Sequence, residues 1–223
     1  MPAPILYVGN KNYSSWSMRP WLALRWAGIA FEERVIPLDG PGYGKAKIPE
    51  IVAISPSGRV PALSVDGVTV YDSLAICEWA NERAPHAHLW PADPLIRAQA
   101  RSAAAEMHSG FAALRRDLSM NIRRRMERAP EFPEDTRADL DHLFDVWRTL
   151  LARFEGPFLF GQRSIVDAMY APVATRLRTY AVQAPPDAQA YCAAIFSDSA
   201  FQEWERDALS ETWTIAKAEE LYR

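Results

Sequence analysis

Gly58-Arg59-Val60-Pro61-Ala62-Leu63-Ser64-Val65-Asp66-Gly67-Val68-Thr69-Val70-Tyr71-Asp72-Ser73 is the stretch that decides the fold. Residues 60–65 and 68–71 read as two short strands, and the Asp66-Gly67 pair between them is a strong hairpin signal. Pro61 stands at the start of the first strand, where proline points to an edge or a special bend. A cis Val60–Pro61 bond would turn the Val60 N–H and C=O outward, free to pair with a peptide-like ligand. An ordinary trans proline ahead of a strand is the plainer alternative. Asp72-Ser73 then opens a helix over residues 73–83. Ser73 is a natural N-cap. The free amides there also suit a carboxylate, and Asp72 could accept from an ammonium group, so the pair matches the head of an amino acid.

Upstream, Ile5-Leu6-Tyr7-Val8 is a buried strand ended by Gly9 and Asn10. Residues 16–28 carry helical spacing in Trp21, Leu22, Leu24 and Trp26, with Gly28 as the stop. Residues 31–38 read as a second strand, Asp39-Gly40-Pro41-Gly42 breaks the chain, and a short helix is expected over 45–54. The order is βαβαββα, an α/β domain over residues 1–84.

Downstream, Pro85, Pro91 and Pro94 punctuate a segment without periodicity, read as a linker over 85–94. Everything from 95 to 223 reads as helix. Residues 95–128 predict one long helix or two nearly continuous ones, with Gly110 a bend. Residues 134–154 carry the clearest stripe: Leu140, Leu143, Phe144, Trp147, Leu150, Leu151 and Phe154. Gly156-Pro157 ends it. Further helices are expected from Ser164, over 188–195 and over 200–211. Pro172 falls inside one of them, where it should kink the helix or delay its start.

Composition narrows the function. The 223 residues are 49% hydrophobic and 24% charged, with a net charge of −3. There is no global basic excess for nucleic acid or anionic lipid, and no apolar run of the roughly 18 residues that a membrane span needs. The N-terminus shows no secretory pattern. Cys77 and Cys192 lie far apart without a CxxC, which fits a reducing cytoplasm and argues against a disulfide framework or thioredoxin-like redox chemistry. His86 and His88 stand without a carboxylate or thiol cluster, so no metal site is expected.

Two more motifs stand out. Asn12-Tyr13-Ser14-Ser15-Trp16-Ser17-Met18-Arg19-Pro20 joins the first strand to the first helix. A hydroxyl at such a helix start can donate to an anion, and a thiol held there would have its pKa lowered; helix capping is the structural alternative. Ser164-Ile165-Val166-Asp167 is a capping box and reads as structural.

In this order and spacing, Ser14-Ser15, Val60-Pro61, Asp72-Ser73-Leu74-Ala75-Ile76 and Ser164/Asp167 resemble the glutathione transferase superfamily over essentially the whole chain. The segment Ser14-Ser15-Trp16-Ser17-Met18-Arg19 is similar to the zeta-class pattern S-S-C-S-W-R, and to bacterial members carrying Asn-Tyr-Ser-Ser-Trp-Ser. The resemblance implies a thioredoxin-like N-terminal domain followed by an all-α C-terminal domain. It implies a cytoplasmic homodimer that uses glutathione as cosubstrate in detoxification. Ser14 or Ser15 would hydrogen-bond the glutathione sulfur, Val60 beside Pro61 would pair with the cysteinyl part, and Asp72 and Ser73 would hold the γ-glutamyl end. Met107, His108, Phe111 and Leu114 recur at three- and four-residue steps and are the candidate lining for a small electrophile, with core packing as the alternative. The basic run Arg115, Arg116 and Arg123–Arg125 reads as a solvated face, a dimer contact or a local attraction for an anionic substrate. Trp16 stands where the zeta pattern has Cys and cannot supply a thiol. Conjugation, peroxide reduction and a zeta-like maleylacetoacetate or maleylpyruvate isomerisation therefore stand side by side. A noncatalytic binding protein of the same fold is the reading from another class.

Overall fold

The computed structural model describes residues 3–38 and 48–222. The break expected at Asp39-Gly40-Pro41-Gly42 and the first turn of the helix expected over 45–54 lie outside them. Four strands, β1 (Ile5–Gly9), β2 (Glu32–Ile36), β3 (Ala62–Val65) and β4 (Val68–Tyr71), form one sheet in the order β2-β1-β3-β4. β1 runs parallel to β2 and antiparallel to β3. Helices α1 (Ser15–Trp26), α2 (Pro49–Ile54) and α3 (Ser73–Arg83) complete the thioredoxin-like βαβαββα unit. Asp66 and Gly67 both have positive φ, 48° and 79°, as a two-residue hairpin turn that follows the sheet's twist requires.

A 3-10 turn at Pro85–Ala87 and an extended segment lead to α4 (Pro94–Ser109). Asp93 caps α4 by accepting from the amides of Leu95 and Ile96 at 2.8 and 2.9 Å. Then follow α5 (Ala112–Asp117), α6 (Glu134–Phe154), α7 (Ile165–Thr179), α8 (Pro186–Ser197), α9 (Ser199–Ser210) and α10 (Ala216–Glu219).

Of the two readings of residues 95–128, the structure takes the pair of helices with the bend at Gly110, and corrects their extent: the second ends at Asp117, not near 128. The first helix stops at Ser109. Gly110 leaves the helix with ψ −163°, and a Cβ there would lie 2.8 Å from the Glu106 carbonyl oxygen. Phe111 follows with φ 55°, so α5 restarts in a new direction and ends at Asp117. Beyond it the backbone bonds across the molecule: the Ile122 amide donates to the Asn12 carbonyl at 3.2 Å and the Met126 amide to the Thr179 carbonyl at 2.9 Å. Pro172 does not delay the start of α7, which begins at Ile165 and runs to Thr179 with the proline inside it. Thr175 Oγ1 donates to the Pro172 carbonyl at 2.7 Å within it. After the helix expected over 200–211 comes α10, whose four residues are too few to show a period.

α7 is the pillar of the molecule. Nearly all of its side chains are buried, and α1, α4 and α8 pack on it. One continuous core runs from Leu6 and Trp21 through Met107 and Trp147 to Tyr170 and Trp204, so sheet unit and helical unit share it. Tyr13, Ile36, Leu38, Ile51 and Ile215 form a smaller second cluster.

Candidate active site

The loop between β1 and α1 ends in the two serines, and the structure gives them different tasks. Ser14 is the N-cap. Its Oγ accepts from the Ser17 amide at 3.3 Å and donates to Ser17 Oγ at 2.7 Å. Ser17 Oγ in turn accepts from the Gly9 amide at 3.0 Å, tying the helix start to the end of β1. Ser15 is the first residue of α1 and 5% exposed. Its Oγ accepts from Arg176 Nη2 at 3.1 Å, and among the described residues it makes no other hydrogen bond. The proton of Ser15 is therefore uncommitted, whereas that of Ser14 is spent on Ser17.

Around Ser15 the charge is positive. Arg176, on α7, also donates to the Leu118 carbonyl, and burial followed by the field of Arg115 lowers its pKa to about 9. Arg19, on α1, is wholly buried, and its Nε and Nη1 have no partner among the described residues. Burial, then Arg115 and Arg176, lower it to about 9 as well. Two guanidinium groups lie over the Trp16 ring, that of Arg19 at 4.4 Å and that of Arg115 at 5.1 Å from its centroid. Three close cations with little compensating carboxylate are expensive to bury, so an anion among them is favoured.

The sheet unit supplies the other wall. Val60–Pro61 is a cis peptide bond, and neither backbone group of Val60 is paired among the described residues. Asp72 caps α3 with φ 77°; its Oδ1 accepts from the Leu74 amide at 2.8 Å. Ser73 is buried, with its hydroxyl unpartnered among the described residues. His108 reaches across from α4: Nε2 lies 3.2 Å from Asp72 Oδ2, and Nδ1 has no partner among the described residues. Its ring meets that of Trp16 edge to face, with centroids 5.2 Å apart. Burial lowers the His108 pKa, Asp72 opposes that, and Arg19 and Arg115 add to it. The neutral ring then donates from Nε2 to Asp72 and keeps a lone pair on Nδ1.

The structure thus brings His108 to Asp72 and Trp16, but it does not bring the whole stripe to a cleft. Met107, Phe111 and Leu114 are buried in the main core, which is the packing alternative for these three. The end of α4 at Ser109 also breaks the helical spacing that grouped them. The basic run is divided: Arg116 and Arg125 are exposed, whereas Arg115, Arg123 and Arg124 are half-buried and tie backbone carbonyls. Arg115 donates to the Gly110 and Met107 carbonyls at the end of α4. Arg123 and Arg124 hold carbonyls of Trp213, Leu221 and Tyr222. Cys77 is buried in the core, which pushes its thiol far up. Arg176 escaped the sequence reading, although an arginine just after the run Met169-Tyr170-Ala171-Pro172-Val173-Ala174 is the mark of a charge carried into a core.

Sheet order, the helical unit behind it and the serine-bearing helix start define a class: the chain has the glutathione transferase fold, and its residues 13–83 match the model of the glutathione S-transferase N-terminal domain. Among curated proteins it is similar to maleylacetoacetate isomerase of Rattus norvegicus, 29% identical over 82% of each chain. It is also similar to maleylacetoacetate isomerase of Pseudomonas aeruginosa, 40% identical over 45% of this chain and 46% of that one. Among solved structures it is similar to a glutathione transferase homologue from Burkholderia gl BGR1 with bound glutathione. That match has a TM-score of 0.73 and 26% identity, covering 94% of this chain and 100% of the other. Among the described residues no helix is long and apolar enough to cross a membrane.

Proposed function

We propose that the protein is a glutathione-dependent enzyme that holds the tripeptide as its thiolate and directs the sulfur at a small electrophile. The observation that carries this reading is the Ser15 hydroxyl, with its acceptor side filled by Arg176 and its proton free, at the start of α1. The remaining groups fit the rest of the tripeptide. The backbone of Val60, unpaired among the described residues, suits the cysteinyl amide, and Asp72 with the Ser73 hydroxyl, likewise without a partner among them, suits the γ-glutamyl zwitterion. Glutathione bound to the Burkholderia relative supports the same ligand. The thiol proton leaves to solvent; Ser15 keeps its own and donates a hydrogen bond to the sulfur anion. A charge-assisted bond of that kind contributes about 1.5–3 kcal/mol.

A second reading is favoured by a specific observation. Arg176 meets the serine, Arg19 and Arg115 lie within reach of its field, and their combined charge suits an electrophile that is itself a carboxylate. The relatives named maleylacetoacetate isomerase point the same way. In that reaction the thiolate adds to a cis double bond, the resulting single bond rotates, and the thiolate is expelled, so no glutathione is consumed. Against it, Trp16 occupies the position of the zeta-class cysteine. Retention on immobilised glutathione, with parallel assays on an aryl halide and on maleylacetone, tests both readings. Glutathione consumption with the halide supports transfer. Isomerisation at constant glutathione supports the second reading. Neither retention nor turnover overturns both and leaves a noncatalytic binding protein. The expected homodimer and cytoplasmic location belong to this proposal and are checked by sedimentation and by fractionation.

A further inference from the structure

Resting on the glutathione reading above, we propose that Arg176 is a positioning residue: through Ser15 it makes the helical unit set the acidity of the bound thiol. The guanidinium is clamped between two elements. Nη1 donates to the Leu118 carbonyl just past α5, and Nη2 donates to Ser15 Oγ at 3.1 Å at the start of α1. With one lone pair of Oγ held by Arg176, the hydroxyl proton points away from the guanidinium. A hydroxyl that accepts from a cation is also a stronger donor, because each bond in such a chain polarises the next. Ser14 has no such partner; its bonds close on Ser17.

The charged and titratable groups that face Arg176 are Arg19 from α1, Arg115 from α5 and Tyr180 at the end of α7. None of these is a carboxylate that would neutralise Arg176 and blunt its field at Ser15. A purely structural arginine would be served by carbonyl acceptors alone; here one donor is spent on the hydroxyl of a helix-start serine in the other unit. The link also makes the acidity of the thiol depend on how α7 seats against α1.

The test titrates glutathione bound to the full-length protein by the ultraviolet absorbance of its thiolate, together with the pH profile of kcat/KM. Arg176→Gln is expected to raise the pKa of the bound thiol by about one unit, which is roughly tenfold less thiolate below both values. Arg176→Lys keeps the charge but cannot serve Leu118 and Ser15 at once, so a shift of the same sign and smaller size is expected. If Arg176 acts through Ser15, adding Arg176→Gln to Ser15→Ala moves the pKa no further. A thiol pKa unchanged in the folded Gln or Lys variant, while Ser15→Ala raises it, overturns the positioning role and leaves the glutathione reading intact. Additive shifts from the two substitutions overturn it equally. Should Arg176→Gln fail to fold, the Lys variant and its combination with Ser15→Ala decide by the same criteria. No thiolate signal in the unsubstituted protein overturns the glutathione reading, and this assignment with it.

Discussion

Ser14 and Ser15 are adjacent in the chain and chemically identical, yet the fold separates their work. Ser14 closes a capping arrangement with Ser17 and Gly9, and Ser15 faces Arg176. Replacing each by Ala should therefore give different signatures. Ser14→Ala removes a cap and is expected to cost about 1 kcal/mol of stability, read as a lower thermal midpoint, with glutathione turnover changed little. Ser15→Ala is expected to lower kcat/KM about 10- to 100-fold, the equivalent of a charge-assisted hydrogen bond, and also to lower the midpoint, because the buried Arg176 Nη2 loses its acceptor there, so turnover and not stability tells the two serines apart. A turnover loss that follows Ser14→Ala and spares Ser15→Ala would assign the sulfur contact to Ser14. Sequence spacing could locate the serine pair but not divide it, because the residue that distinguishes them lies 161 positions away. His108 gives a second residue-scale prediction. Its pKa in the fold lies below the ordinary 6.5, first through burial, so the unfolded chain takes up its proton at higher pH than the folded one. The stability contributed by the neutral ring is present above the ordinary value and is lost as pH falls through the folded value. His108→Gln should flatten the stability curve over that window in urea titrations at successive pH values; an unflattened curve would show that His108 is not the group responsible.

At the scale of elements, legibility follows the range of the bonds. The capping box of α7 was readable because it closes over three residues: the Ser164 amide and hydroxyl both donate to Asp167 Oδ2, at 2.8 and 3.0 Å. What the motif did not reveal is how much else Asp167 holds. Its Oδ1 also accepts from the Leu159 amide at 3.2 Å and from the Tyr191 hydroxyl at 3.0 Å, joining the turn before α7 to α8. Asp167→Ala leaves several buried donors without an acceptor, so a loss on the order of 3 kcal/mol is expected in denaturant unfolding. A loss below about 1 kcal/mol would mean that water replaces the carboxylate. The segment after α4 was illegible for the opposite reason. Alanine and arginine over 95–128 favour helix, and propensity cannot see that the backbone after Asp117 pairs with Asn12 and Thr179.

At the scale of the molecule, hydrophobic period and the Asp66-Gly67 hairpin marked a sheet unit and a helical unit, but not how the chain closes on itself. After α9 it returns to the loop that carries the two serines, through bonds as much as 200 positions apart. The Glu211 carboxylate accepts from the amides of Lys11 and Asn12 at 2.6 and 3.0 Å. Glu219 accepts from the Tyr13 hydroxyl at 2.5 Å and from Asn121 Nδ2 at 2.9 Å. Ile215 fills the small cluster with Tyr13, Ile36, Leu38 and Ile51. Arg123, from the basic run, is the other jaw: it donates to Tyr13 Oη at 2.9 Å and to the Trp213 carbonyl at 2.7 Å. The tail therefore fixes the loop whose far end places Ser15, and loosening it should disturb the site before it disturbs the core. Glu211→Ala removes the acceptor for two loop amides and leaves α7 untouched. Hydrogen exchange is expected to quicken at Lys11 and Asn12 while the amides of α7 keep their protection, with a few-fold rise in the KM for glutathione and little change in kcat. Local opening of this kind draws on the least stable part of a structure, so it precedes global unfolding. If Lys11 and Asn12 exchange as slowly in the variant as in the parent, the tail does not hold the loop, and the position of Ser15 rests on α7 and on the Ser14–Ser17–Gly9 cap.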